Sequence, residues 1–312
     1  MRASPSAAAI SFPACQPAVG LPKPVARQVA TDLTCLAVVG GAYGNLPALA
    51  ACLEHARQSG CDGFAFLGDA TGFCGHSDET VETVRRHFPL RVAGNYEQKA
   101  AAREEDCGCN YADPADNCYG SLAHQWAMRS LSDASRAWLG TWPDLLRLET
   151  VAGPILLCHG SPAQTNEFLY GSQLDEARLE SWLDRFGAVG FVCTHSGFPW
   201  ARTLRGGRFA ANCGVCGKPD HDGDPAVHYA TVQLRPGIAP EASIARVEYD
   251  HTAWADQLDA EGVDEIFTSS LRDGIWRCGL LSLPPAERAN HQASKYTAAG
   301  GVQPNTSFGL VS

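Results

Sequence analysis

The 312-residue sequence has no apolar run long enough to cross a bilayer; stretches such as Ile155–Cys158 and Phe191–Cys193 extend for only a few residues. It also lacks a stripe of Lys and Arg. With 24 basic residues against 34 acidic ones and a formal net charge of −10, a nucleic-acid backbone or an anionic membrane is excluded as the main partner. Residues 1–31 contain no acidic residue and no continuous apolar core of a secretory signal, although Arg2, Lys23, Arg27 and five prolines fall there. These absences predict a soluble, cytoplasmic body preceded by a disordered extension over 1–31; the end of the chain, 289–312, containing AGGVQPNTSFG, has the same look. No internal repeat and no linker divides 32–288, which reads as one domain.

What the chain does have is 45% hydrophobic residues, ample for a sizeable core, and thirteen cysteines. An odd cysteine count without a secretory signal predicts reduced thiols rather than a disulfide framework.

Apolar runs alternate with helical patterns along the first two thirds. Leu33–Gly40 reads as a strand, and Leu46–Arg57 places Leu46, Leu49, Ala50 and Leu53 at helical spacing. Asp62–Asp69 is a second strand, Ser77 or Asp78 caps a helix running to His87, and Leu90–Gly94 is a third strand. A helix follows from Asn95 to about Glu104. The Gly, Pro, Asn and Asp content of Asp106–Asn117 then predicts a long irregular loop. Leu122–Leu131 is helical, Pro154–Gly160 and Ala188–Thr194 are strands, and Leu174–Phe186 is an amphipathic helix. Short strands alternating with helices imply parallel pairing. From Arg208 onward, strands at Arg208–Cys213, His228–Leu234 and Ala242–Tyr249 predict an antiparallel meander, closed by helices near Trp254–Leu258 and Val263–Arg272.

Four polar residues end apolar runs: Asp69 after FAFLG, Asn95 after LRVAG, His159 after ILLC and His195 after FVCT. Parallel strands carry their ends to a common edge, where ligand sites of open α/β sheets lie. An oxygen and nitrogen donor set of this kind suits zinc, manganese or iron.

On these residues the chain resembles the calcineurin-like metallophosphoesterases, particularly the small bacterial branch, over roughly 33–288. The blocks that carry the resemblance are GAYGNLPAL at Gly41–Leu49, GDATG at Gly68–Gly72, GNYEQ at Gly94–Gln98, CHGSP at Cys158–Pro162 and THSGFP at Thr194–Pro199. The glycine-rich ANCGVCGKPDHDGDPAVHYA at Ala211–Ala230 also looks like a segment of that family. The resemblance implies an α/β fold, a four-layer α/β/β/α sandwich, and a two-metal site. One metal of that site corresponds to Asp69, Asn95, His159 and His195, all present. The other corresponds to positions 41, 43, 69 and 197, which read Gly41, Tyr43, Asp69 and Gly197, so only the bridging carboxylate remains.

The expected centre is therefore reduced to one divalent or trivalent transition-metal ion, Mn, Zn or Fe. Asp69, Asn95 and His159 are the expected catalytic residues, and Tyr96, Asn212 and Lys218 are expected to contact a small phosphorylated substrate. Tyr43 and His76 are candidates for a rebuilt second site, as phenolate and imidazole ligands. Cys107-Gly-Cys109 and Cys213-x-x-Cys216 offer four thiolates that could hold zinc or an iron–sulfur cluster, or simply pack. Three readings stay open: a one-metal phosphoesterase-like hydrolase, a non-catalytic relative binding metal, nucleotide or a protein partner, and a metal- or cysteine-centred redox or assembly factor.

Overall fold

A computed structural model of the chain describes residues 25–289. Eleven strands are found among the described residues: β1 (Ala26–Ala30), β2 (Cys35–Val39), β3 (Gly63–Phe66), β4 (Leu90–Arg91), β5 (Leu145–Thr150), β6 (Gly153–Cys158), β7 (Gly190–Cys193), β8 (Trp200–Thr203), β9 (Phe209–Asn212), β10 (Val227–Arg235) and β11 (Ile238–Val247). They form a six-stranded sheet, β1-β5-β6-β7-β9-β8, and a five-stranded sheet, β11-β10-β2-β3-β4. The helices are α1 (Leu46–Gln58), α2 (Ser77–His87), α3 (Asn95–Ala102), α4 (Pro114–Met128), α5 (Asp133–Leu139), α6 (Glu176–Phe186), α7 (His251–Ala260), α8 (Glu265–Asp273) and α9 (Pro285–Ala289).

The period-two alternation of side chains along each strand creates the layers. Leu36 and Val38 of β2 point between the sheets, where they meet Leu146, Leu148, Ile155, Leu157 and Val192. Ala37 and Val39 point the other way, against Leu49, Cys52 and Leu53 of α1 and Val81 and Val84 of α2. In the second sheet Leu156, Phe191 and Cys193 face outward onto Leu179, Trp182 and Leu183 of α6. The inner strands β2, β7 and β9 are thus buried on both faces, which is why they read as continuous apolar runs. The result is the expected α/β/β/α sandwich.

Helix starts follow local chemistry. Asn45 caps α1 by accepting from the Ala48 amide at 3.2 Å, and Asp113 caps α4 by accepting from the Ala115 amide at 2.8 Å. Pro114 at the first turn of α4 needs no partner for a missing N–H. The irregular loop expected over Asp106–Asn117 therefore ends at Asp113. A second correction concerns the end of the chain: β9 lies in the six-stranded sheet, parallel to β7 and antiparallel to β8, whereas only β10 and β11 form an antiparallel hairpin, in the other sheet. A third concerns the N-terminal boundary, since β1 pairs in parallel with β5 and brings residues 26–30 into the sandwich. The rest of the two expected tails lies outside the described residues, apart from residues 25, 31 and 289.

Candidate metal centre

β2, β3 and β4 are parallel in one sheet, and β6, β7 and β9 are parallel in the other. Their carboxyl ends meet at one edge, where Asp69, His159 and His195 come together with ligand atoms all within 4.8 Å of one another. Asp69 sits in the left-handed region (φ 57°), a conformation Asp tolerates better than most residues. It is held there from two sides. Its carbonyl accepts from the Tyr43 amide at 3.1 Å, while its own amide and that of Ala70 donate to the Glu97 carboxylate at 2.7 and 2.8 Å. Glu97 also accepts from Gly94 N at 2.8 Å, so this fully buried side chain ties the β3 turn to the start of α3. Only glycine fits at 94, because a Cβ there would lie 2.4 Å from Asp69 Oδ1 and 2.8 Å from His159 Cε1.

The two imidazoles are oriented by backbone carbonyls. His159 Nδ1 lies 2.6 Å from the Leu67 carbonyl and His195 Nε2 lies 3.1 Å from that of Cys109, which assigns the N–H of each ring to the carbonyl side. The remaining nitrogens, His159 Nε2 and His195 Nδ1, then face each other at 3.0 Å, with Asp69 Oδ2 3.3 Å from His159 Nε2. Two lone pairs and a carboxylate converging in a buried spot call for a shared cation. Without a metal the pull is on a proton. Burial, the largest single influence, raises the Asp69 carboxyl, but the charge and hydrogen bond of His159, the His195 charge and the Tyr96 amide together hold the group below its ordinary range. Burial lowers His159, yet the Asp69 carboxylate wins and raises it, while burial and then the His159 charge push His195 down to about 3.

Asn95, the fourth residue of the expected donor set, opens α3 directly after Gly94. Its Nδ2 donates to the Cys107 carbonyl at 2.7 Å, and its Oδ1 is buried with no hydrogen-bond partner among the described residues. An orphaned buried carbonyl oxygen costs free energy unless a cation or donor meets it. The donor chemistry of Asp69, Asn95, His159 and His195 therefore fits a zinc, manganese or iron ion.

The other expected residues fall differently. His76 does not join this cluster: its Nε2 pairs with Glu261 at 2.9 Å and its ring packs on Trp254. Asn212 is a correction too. It is 1% exposed, its Nδ2 donates to Thr194 O and Ser196 Oγ at 2.8 Å, and its Oδ1 accepts from Gly214 N at 2.9 Å. With each polar atom partnered, Asn212 braces the turn that carries His195. Tyr96 donates its hydroxyl to Gly120 O at 3.1 Å and its ring meets Tyr43 edge-on at 6.1 Å. Burial and then the Asp69 charge raise the Tyr43 hydroxyl well above its ordinary value, so it is a neutral phenol.

The four thiols are scattered. Cys107 and Cys109 pack together beside Tyr96, Cys213 lies between the sheets, and Cys216 faces the α1 side. No disulfide joins cysteines among the described residues.

The positions of the other half-site are filled. A Cβ at Gly41 (φ +50°) would lie 2.4 Å from Val215 Cγ1, and one at Gly197 (φ +78°) would lie 2.9 Å from Trp276 Cη2. Cys216 N and Gly217 N donate to Gly40 O and Gly41 O at 2.8 Å and seat Val215 against that loop. Beside the cluster opens a cavity of about 60 Å³, walled by Tyr43, Phe73, Tyr96, Tyr111, Tyr119 and Phe267, with Asp69, His195, Asp116 and Lys218 also lining it.

Glu97 and the carbonyls of Leu67 and Cys109 were not among the expected functional residues. A glutamate three residues after the glycine that opens a helix is a capping signature, which is the one signal that pointed to Glu97. The carbonyls leave no trace in the side-chain code.

Solved structures share this fold, two of them with TM-scores above 0.6. A metallophosphoesterase from Sphaerobacter thermophilus aligns with a TM-score of 0.61 at 23% identity, covering 78% of this chain and 100% of that one. A hypothetical protein from Pyrococcus horikoshii aligns with a TM-score of 0.62 at 18% identity, covering 80% of this chain and 100% of that one. No family model and no curated relative matches the sequence. The chain has the metallophosphoesterase fold. No helix among the described residues is long and apolar enough to cross a membrane.

Proposed function

We propose that this chain is a metal-dependent, phosphoesterase-like hydrolase of a small phosphorylated molecule, using one Mn, Zn or Fe ion held by Asp69, Asn95, His159 and His195. The observation that carries this reading is the 3.0 Å approach of His159 Nε2 and His195 Nδ1 beside Asp69, each ring's other nitrogen being committed to a carbonyl. When bound, such an ion supplies Lewis-acid polarisation of a phosphoryl oxygen. The chain's own groups do the rest. The Leu67 and Cys109 carbonyls fix the rings, Phe168 covers His195 with centroids 4.4 Å apart, and the aromatic wall excludes water from the substrate's organic part.

The test is metal content together with turnover of aryl phosphates in the presence of Mn, Zn and Fe, in the parent chain and in Asp69→Ala and His159→Ala. Activity that disappears in both variants supports the reading, and full activity in both sinks it. The filling of the 41 and 197 positions by Val215 and Trp276 favours a second reading, a non-catalytic relative that binds metal, nucleotide or a protein partner. Bound metal without turnover selects that one.

A further inference from the structure

We propose that the Lys218 ammonium takes the electrostatic place of the missing second metal ion, so that the phosphoryl group of a phosphate monoester is bracketed between Lys218 and the ion held by Asp69, Asn95, His159 and His195. The proposal rests on the one-metal reading above and adds to it a second cation and a substrate class.

Position comes first. The indole of Trp276 occupies the side-chain space of Gly197, and Lys218 Nζ lies over that indole, 3.3 Å from the ring centroid. The platform is fixed: Trp276 Nε1 donates to Pro219 O at 2.7 Å, and Trp276 N donates to His221 Nδ1 at 2.8 Å. The residue that replaces a metal ligand's volume thus also carries an ammonium, and that ammonium lines the cavity shared with Asp69 and His195.

The state of the ammonium comes second. Half-buried Lys218 makes no hydrogen bond or ion pair among the described residues, and its one described contact is the indole face. Its three N–H donors have no protein acceptor and stay open to a ligand's oxygen, while the cation–π contact holds the head group in place. Asp116 on the same wall makes no ion pair with it, its two oxygens accepting from Gly279 N and Ser282 N at 2.9 and 2.7 Å, although its charge helps to keep the amine protonated. Burial lowers the amine to about 8, so it is still protonated at neutral pH.

The charge balance selects the ligand. A divalent ion and one ammonium set against the Asp69 and Asp116 carboxylates leave the cavity net positive, which suits an anionic phosphoryl group. Lysine is an effective point-charge partner for a phosphoryl oxygen and needs no coordination shell, which suits a pocket from which two ligand side chains have gone.

The experiment uses the full chain, both chelator-treated and metal-loaded, titrated calorimetrically with inorganic phosphate and assayed on an aryl phosphate monoester and the matching diester. Lys218→Met is expected to weaken phosphate binding about ten- to hundredfold in both forms, as loss of one charged hydrogen bond predicts, with Lys218→Arg recovering part of it. The kcat/KM for the monoester is expected to fall by a similar factor and that for the diester by less, while bound metal stays at one ion per chain. Since removing a poorly solvated cation relieves a cost, Lys218→Met is expected to keep or raise the urea midpoint, whereas a merely structural lysine would lower it. Phosphate binding in Lys218→Met equal to the parent chain, or two ions per parent chain, overturns the proposal. Metal-dependent turnover that ignores Lys218→Met sinks this inference alone. A chain that binds phosphate through Lys218 without turning over any ester keeps the anion site and sinks the hydrolase reading instead.

Discussion

His159 Nε2 and His195 Nδ1 stand 3.0 Å apart, with neither ring free to turn its other nitrogen inward, because the Leu67 and Cys109 carbonyls hold those nitrogens from outside. A pair of acceptors fixed face to face is a repulsive arrangement that a cation resolves. Replacing His195 by Ala is therefore expected to weaken metal binding by at least the 10–100-fold typical of a lost supporting contact. Competition against a chelating dye measures this, and unchanged affinity would show that the imidazole pair holds no ion.

Glu97 receives the amides of Asp69, Ala70 and Gly94 on one buried carboxylate. Glu97→Gln keeps the shape but turns an amide NH₂ toward donors. The expected loss is roughly 2–4 kcal/mol of unfolding free energy, from buried N–H groups left without an acceptor. Urea titration reads it directly, and a loss below about 1 kcal/mol would mean the turn at Asp69 is held by other means.

Restoring an acidic residue at the lost half-site is expected to damage the fold before it recruits an ion. Gly41→Asp must place a Cβ 2.4 Å from Val215 Cγ1 at a φ of +50°. Overpacking and left-handed strain together predict roughly 2–4 kcal/mol of destabilisation. Metal content should stay at one ion per chain, and a second equivalent bound by this single variant would contradict the tight filling.

Asp220 carries a pH signature outside the centre. Its Oδ1 is buried without a hydrogen-bond partner among the described residues, and burial, then the charge of Asp222, push its carboxyl up to about 8. Between about pH 4 and pH 8 the folded chain keeps a proton that the unfolded chain has released, so this group's contribution to stability falls as pH rises. The slope is at most about 1.4 kcal/mol per pH unit and vanishes above pH 8. Asp220→Asn is expected to flatten that part of the urea midpoint's pH dependence and to gain on the parent chain as pH rises from 5 to 8. Parallel curves for the two proteins would rule the effect out.

Much of the centre was legible because each residue involved ends an apolar run: FAFLG before Asp69, LRVAG before Asn95, ILLC before His159 and FVCT before His195. Local sequence carries that pattern, since a strand buried on both faces has to be apolar until it reaches the sheet edge. What stayed hidden depends on distant contacts. Nothing near Gly197 announces that Trp276 fills its side-chain space, and Asn212 looked free for a ligand until Thr194, Ser196 and Gly214 were seen to use all its polar atoms. The meander expected after Arg208 failed for a similar reason: spacing shows that strands are close in sequence, not which sheet each one joins.

The packing of Val215 and Trp276 against Gly41 and Gly197 closes both positions to larger side chains. A lone ligand returned at 41 meets Val215, and one returned at 197 meets Trp276, so neither first step is tolerated without a second change elsewhere. For a second ion, ligands at 41, 43 and 197 would have to come together with smaller residues at 215 and 276, and the change at 276 would also dislodge the platform beneath Lys218.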